Sequence, residues 1–219
     1  MRFDKFLNTY DNYAFVQKKV AQKLIRFLQK DEEFKTILEI GCGTGIYSKK
    51  LVSHIKYQNI ILNDLCDSEN YVSQIEKSKF IIEDMDTFEY KKYSLITSSS
   101  VFQWSKNLDQ LLDKISIATD RLLFSIYVDG NLPEIKNDFG VSLEYVKHED
   151  ILLKLKRKFK FVDYKIENII LKFSTPLEAL KHLKYTGVTG IRKNIEIAKI
   201  RNFKETKLTY KVVYYNCWN

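Results

Sequence analysis

The residues best placed to do chemistry lie where an apolar run, Ile37-Leu38-Glu39-Ile40, breaks into Gly41-Cys42-Gly43-Thr44-Gly45. Glycines at this spacing let the main chain turn sharply and let a ligand approach the backbone beside a helix N-terminus. A dinucleotide fingerprint would carry its third glycine where Ile46 stands, so the pattern here is Gly-x-Gly-x-Gly instead. Glu39 stands two positions before the first glycine; a carboxylate there repels a pyrophosphate and suits a ligand with a cationic amino acid end. Roughly 20 residues further on, Asn63-Asp64-Leu65 ends a second apolar run, where a carboxylate can accept both hydroxyls of a ribose. Glu83-Asp84-Met85 ends a third. After a fourth comes Ser98-Ser99-Ser100-Val101-Phe102-Gln103-Trp104, the segment expected to face the reacting group, because clefts in open α/β sheets lie outside the carboxyl ends of the strands. The three cysteines are far apart and the three histidines fall in no ligand spacing, so neither a disulfide framework nor a metal site is expected.

These residues need strands that end in one row. Short apolar runs at 36–40, 60–62, 80–82, 94–97 and 122–127 alternate with helical patterns around 46–55, 71–76 and 108–118. Such alternation predicts βαβ units, a parallel sheet and helices on both faces, an α/β Rossmann-like architecture. Val16, Val20, Leu24, Phe27 and Leu28 recur at helical spacing ahead of it. The last third reads as a long strand at 161–171, helices at 176–185 and 192–201, and a closing strand at 208–215. The expected organisation is a single domain, 1–219, with an N-terminal helical cap at 1–30 and a helical lid at 172–206 inserted before the last strand.

The stretch Glu39 to Gly45 resembles the first motif of class I S-adenosylmethionine-dependent methyltransferases. That resemblance implies S-adenosylmethionine as cofactor, held by Glu39, Gly41, Cys42, Gly43 and Gly45. It makes Asp64, with Leu65, the ribose acid, and sets Asp84 and Met85 against the adenine. Several segments together resemble a narrower family, the malonyl-acyl-carrier-protein O-methyltransferases of biotin synthesis: Phe6-x-x-x-Tyr10-x-x-x-Ala14-x-x-Gln17, Ser98 to Gln103-Trp104, Phe124-Ser125 with Gly130 to Ile135, Leu183 to Thr189, and the strand from Leu208. This narrower likeness implies methyl transfer to the free carboxylate of a malonyl group on acyl carrier protein. Tyr10, Gln103 and Lys181 become the substrate-side candidates, with Ser98 on the cofactor. Departures from the family pattern are Ser94 for an Asp, Ser99 for an Asn, and Lys181 for an Arg that would grip a carboxylate with two hydrogen bonds rather than as a point charge. Trp104 and Phe102 are read either as walls of an acyl tunnel or as core.

Composition sets the remaining expectations. The chain has 219 residues, 45% hydrophobic, and a net charge of +8, which favours an acidic partner. No Asn/Asp-Pro-Pro-aromatic loop and no Pro-Cys nucleophile is present, so base methylation is not indicated and no nucleic acid partner is expected. No apolar run is long enough to span a bilayer, so a cytoplasmic monomer without a membrane partner is expected. An acidic carrier protein would suit Lys181, Lys184, Arg192, Lys193, Lys199 and Arg201; the run from Lys154 to Lys160 reads more simply as a solvated face. A lysine-rich, AT-biased coding composition accounts for the charge equally well. A small free acid or a quinone as acceptor, a non-catalytic cofactor-binding protein, and an RNA-associated protein stand as alternatives.

Overall fold

A computed structural model of the chain describes residues 6–140, 143–187 and 197–219. Seven strands form one sheet: β1 (Glu33–Ile40), β2 (Lys56–Asp64), β3 (Ser78–Ile82), β4 (Leu95–Ser99), β5 (Arg121–Tyr127), β6 (Phe161–Lys172) and β7 (Lys207–Trp218). Their order is β3-β2-β1-β4-β5-β7-β6. The first five are parallel, and β7 runs antiparallel between β5 and β6. Central β-strands buried on both faces must be apolar on both faces; Ile37, Leu38 and Ile40 of β1 and Leu122, Leu123 and Phe124 of β5 are accordingly all buried.

Two hydrophobic clusters occupy the two faces. One gathers α2 (Phe15–Leu24), α3 (Ser48–Val52), Tyr127, Tyr210, Val212 and Tyr214. The other gathers α5 (Leu108–Ala118), α7 (His148–Lys158), Phe124, Val213 and Tyr215. Alternate residues of β5 and β7 therefore serve opposite sides. Helix α5 starts where the Asn107 side chain accepts the Gln110 N–H at 3.0 Å, and it buries Leu108, Leu111, Leu112 and Ile115 at helical spacing.

The sheet and the α5 boundaries match the sequence expectation; other elements differ. The helix expected over 46–55 shortens to Ser48–Val52, and the one over 71–76 becomes α4 (Glu69–Val72), because turns rather than helix take up the remaining residues. Two helices escape the periodicity: α6 (Pro133–Phe139), entered through Leu132 at φ 50°, and α7, whose charged face hides a stripe of Ile151 and Leu155. Helix α8 (Pro176–Thr186) begins where Thr175 accepts the Glu178 N–H and ends at Gly187. Helix α9 is described over Ile197–Asn202; the earlier part of the helix expected from Arg192, including Lys193, lies outside the described residues.

The N-terminal segment folds over the first face as α1 (Leu7–Tyr13), α2 and a short 3-10 turn. Tyr13 stacks on Tyr185 of α8 at 4.4 Å between ring centres, and Phe6 meets the same ring edge-on at 5.6 Å. Thr44 of the glycine loop donates to Asp11 at 2.6 Å, and Tyr71 donates to Asn8. This N-terminal segment is thereby tied to α8, to the glycine loop and to the connection after β2.

Candidate active site

The carboxyl ends of β1 to β5 open into a cavity of about 350 Å³. Adjacent strands are about 4.8 Å apart, so the sheet order sets the site out in a line. Residues after β3 (Asp84, Met85) stand at one end, then Asp64 after β2, the loop after β1, Ser99 and Ser100 at β4, and Tyr127 at β5. Tyr10, Gln17 and Thr186 reach it from α1, α2 and α8.

The glycine loop has the strain its sequence implies. Gly41 adopts φ 74°, and a Cβ there would stand 2.4 Å from Val101 Cγ2, a contact only glycine avoids. The N–H groups of Gly41 and Cys42 both donate to the Asn63 carbonyl, at 2.7 and 3.0 Å, which folds the loop over the end of β2. Asn63 in turn donates through Nδ2 to the Glu83 carbonyl at 2.9 Å, joining β2 to the segment after β3.

Asp64 is the best-organised charged group in the cavity. Its Oδ2 accepts the Gly43 N–H at 2.8 Å and its Oδ1 the Cys66 N–H at 2.9 Å. Burial raises the carboxyl above the usual range, and these backbone donors offset part of the rise. Asp84 is more exposed: Oδ1 accepts the Asp86 N–H at 3.0 Å and Oδ2 the Lys106 ammonium at 2.9 Å. Those hydrogen bonds hold its carboxyl below the usual range. The same corner is braced by Asp86, which takes the Ser105 hydroxyl and the Lys106 N–H.

Of the residues predicted from sequence, Tyr10, Gln103, Gly41, Cys42, Gly43, Asp64, Leu65, Asp84 and Met85 line the cavity together. Four do not. Glu39 is fully buried behind the loop, where its Oε1 accepts the Ser48 hydroxyl at 2.8 Å; burial pushes its pKa up to about 8. Gly45, at φ 79°, packs beneath the loop, where a Cβ would press on Val72. Ser98 is buried and donates to the Ile40 carbonyl at 2.8 Å, tying β4 to β1, while Ser99, the last residue of β4, and Ser100, just past it at φ 62°, line the cavity. Lys181 is solvent-exposed on α8, whose buried face is Ala179, His182, Leu183 and Thr186.

Sequence reasoning passed over Thr44, Lys106, Tyr127 and Thr186. Tyr127 is the last residue of β5 and could have been found by applying to that strand the rule used for the fourth. Phe102 and Trp104 divide: Phe102 is core, against Phe124 at 5.0 Å, and Trp104 lines the cavity.

Residues 12–165 match a family model described as a methyltransferase domain. Among curated proteins, the malonyl-[acyl-carrier protein] O-methyltransferase of Calditerrivibrio nitroreducens is 34% identical over 197 residues, covering 87% of this chain and 79% of that protein. Its namesake in Bacteroides thetaiotaomicron is 33% identical over 200 residues, covering 87% and 77%. The chain belongs to the malonyl-[acyl-carrier protein] O-methyltransferase family. The fold agrees with that of solved structures: the YcgJ protein of Bacillus subtilis superposes with a TM-score of 0.66 at 10% identity, over 92% of this chain and 98% of that one. In this malonyl-[acyl-carrier protein] O-methyltransferase family member, the cavity wall divides between residues that follow β1 to β3 and residues drawn from α1, α2, β4, β5 and α8.

Proposed function

We propose that this chain transfers the methyl group of S-adenosylmethionine to the free carboxylate of a malonyl thioester carried by acyl carrier protein, giving the methyl ester that primes biotin synthesis. The observation that carries the reading is the two-ended cavity. One end holds the carboxylates of Asp64 and Asp84 beside a glycine loop, and the other is lined by Tyr10, Ser100, Gln103, Tyr127 and Thr186. The first end fits the cofactor: the loop after β1 turns at Gly41, where φ 74° and the contact with Val101 exclude a Cβ, and Asp64 keeps acceptor capacity for a diol. Bound there, S-adenosylmethionine supplies an electrophilic methyl group on a sulfonium.

A malonyl carboxylate, with a pKa near or below about 4, is ionised at neutral pH and needs no general base. The second end suits such an acceptor, since no histidine lines it among the described residues and burial pushes the Cys42 thiol and the Tyr10 and Tyr127 phenols well up. The wall therefore has to align, desolvate and orient rather than move a proton. The helices at 1–30 and 172–206 act as cap and lid in this reading, and their contact through Tyr13 and Tyr185 supports it.

The partner is an acidic carrier, and the exposed basic residues of α8 and α9 are its docking candidates. The run from Lys154 to Lys160 is a solvated face in this reading, on which Lys154 and Lys158 pair with Asp109 and Asp113 of α5. The same reading has the chain working as a monomer in the cytoplasm, without a nucleic acid or membrane partner; no helix among the described residues is long and apolar enough to cross a membrane. Labelled methyl transfer to purified malonyl carrier protein, beside the unmalonylated carrier and malonyl-coenzyme A, tests the assignment. Label is expected on the malonyl carrier, and its absence there refutes the reading.

A further inference from the structure

Four buried polar atoms of the cavity wall have no hydrogen-bond partner of good geometry among the described residues: Gln17 Oε1, Ser100 Oγ, Gln103 Oε1 and Tyr127 OH. A buried polar group left unmatched costs about 1–3 kcal/mol, so a group of them facing one cavity asks for a ligand that matches them. Two are hydroxyl donors, and the sheet fixes both. Ser100 follows β4 in a left-handed conformation, φ 62°, which a non-glycine residue holds only under constraint. Its N–H is shared between the Ser125 carbonyl at 3.0 Å and the Ser125 hydroxyl at 3.1 Å. Tyr127 ends β5, pairs across the sheet with Val212, and packs against Tyr210 at 5.8 Å between ring centres. The two hydroxyls lie within reach of each other, and a hydrogen bond between them uses one of their two protons and leaves the other for a ligand.

Their place in the row is decisive. Asp84, Asp64 and the glycine loop follow β3, β2 and β1, whereas Ser100 and Tyr127 follow β4 and β5, on the side away from the adenine end. A donor methyl presented above β1 and β4 would meet an acceptor resting above β4 and β5. The lysine that lines the cavity, Lys106, is bound to Asp84 at the opposite end, and Lys181 faces solvent.

Resting on the methyl transfer proposed above, we infer that the Tyr127 and Ser100 hydroxyls donate hydrogen bonds to the malonyl carboxylate and hold one of its oxygens toward the donor methyl. Neutral donors suit this step. The carboxylate oxygen bonds to the methyl carbon as the carbon–sulfur bond breaks with its electron pair left on sulfur; anion and sulfonium become neutral ester and thioether, and no proton moves. The acceptor loses its charge on the way, so a grip weaker than a salt bridge holds the ground state less tightly relative to the transition state. Burial keeps the Tyr127 phenol protonated across the working pH range, as a donor must be.

The test is Tyr127→Phe, which removes one oxygen and leaves the ring packing intact, with Ser100→Ala as the second variant. Malonyl carrier turnover is expected to fall by roughly 10- to 100-fold in kcat/KM, the scale of a lost hydrogen bond to a charged group. Cofactor affinity should stay at the wild-type value, and the unfolding midpoint of the ligand-free protein should not fall, since each variant removes an unmatched buried hydroxyl. A readout that a structural role would not move is the preference for malonyl over acetyl carrier protein, which lacks the carboxylate; measured by competition, it should shrink in Tyr127→Phe while acetyl carrier binding holds. An unchanged preference with active wild-type enzyme overturns the hydroxyl assignment alone. Wild-type enzyme that transfers no methyl to the malonyl carrier overturns the function and this inference with it.

Discussion

Replacing Asp64 by Ala separates the binding role of this carboxylate from any structural one. The group accepts two backbone N–H donors, from Gly43 at 2.8 Å and Cys66 at 2.9 Å, and still has lone pairs for two ribose hydroxyls. A hydrogen bond to a charged group contributes about 1.5–3 kcal/mol. Part of that is recovered when water fills the vacated space, so a net loss of about 1–3 kcal/mol in cofactor binding is expected, a roughly 5- to 160-fold rise in Kd. Stability moves differently. Burial raises the Asp64 pKa, so at neutral pH the ionised carboxylate opposes folding to the extent that its backbone donors do not offset the burial. Its removal relieves that cost, and the two freed N–H groups border the cavity, where water can reach them. Titration calorimetry with S-adenosylhomocysteine and thermal unfolding of the ligand-free protein measure the two effects. A Kd within twofold of wild type removes Asp64 as ribose ligand. A loss of affinity matched by a fall in unfolding temperature makes it a loop brace instead.

Gly41→Ala should abolish cofactor binding and destabilise the chain by about 1–3 kcal/mol, because φ 74° and the 2.4 Å approach to Val101 are both incompatible with a Cβ; normal binding by calorimetry would contradict the loop geometry. Glu39 has a pKa pushed up to about 8 by burial against an ordinary value of 4.5. Its contribution to stability is therefore full below about pH 4.5 and lost as pH rises through about 8. Urea unfolding of ligand-free protein between pH 5 and 8 should show that decline, and Glu39→Gln should flatten it; an equal slope in both proteins would refute the burial argument. Lys181→Ala, exposed on α8, should leave methyl transfer to malonyl-coenzyme A, where that is accepted, within about twofold and act only through carrier docking. A tenfold loss on the coenzyme A thioester would return Lys181 to the carboxylate.

The end of the cavity proposed for the cofactor was legible as a cluster because its parts follow consecutive strands. Each of Gly41, Asp64 and Asp84 stands directly after an apolar run, and parallel strands with right-handed crossovers bring such positions to one edge. Strand ends thus convert sequence order into spatial order. Depth was not legible. Glu39 and Ser98 belong to segments at the cavity edge but are fully buried, where Glu39 accepts the Ser48 hydroxyl through Oε1 and Ser98 donates to the Ile40 carbonyl. Spacing along a strand gives the face a residue takes; it does not say whether the ligand or a neighbour occupies that face.

The end proposed for the acceptor was legible only in part, at Tyr10 and Gln103, for a different reason. Tyr10, Gln17, Ser100, Tyr127 and Thr186 come from α1, α2, the turn after β4, β5 and α8, so no local pattern joins them. Lys181 was a candidate for the carboxylate because the family resemblance places it where an Arg is common. In α8 the buried stripe passes through Ala179, His182, Leu183 and Thr186, and position 181 falls outside it. His182 in that stripe is itself bound to the Tyr210 hydroxyl at 2.8 Å and driven down to about 4 by burial, which keeps it neutral and out of the chemistry. A helix that must bury an apolar face against the cap has little freedom over which residue it turns to the cavity. Here that residue is Thr186, uncharged like its neighbours Tyr10 and Tyr127. A wall of neutral donors can orient an ionised acceptor beside a sulfonium without a countercharge of its own, because the reacting pair already neutralises itself as the methyl group moves.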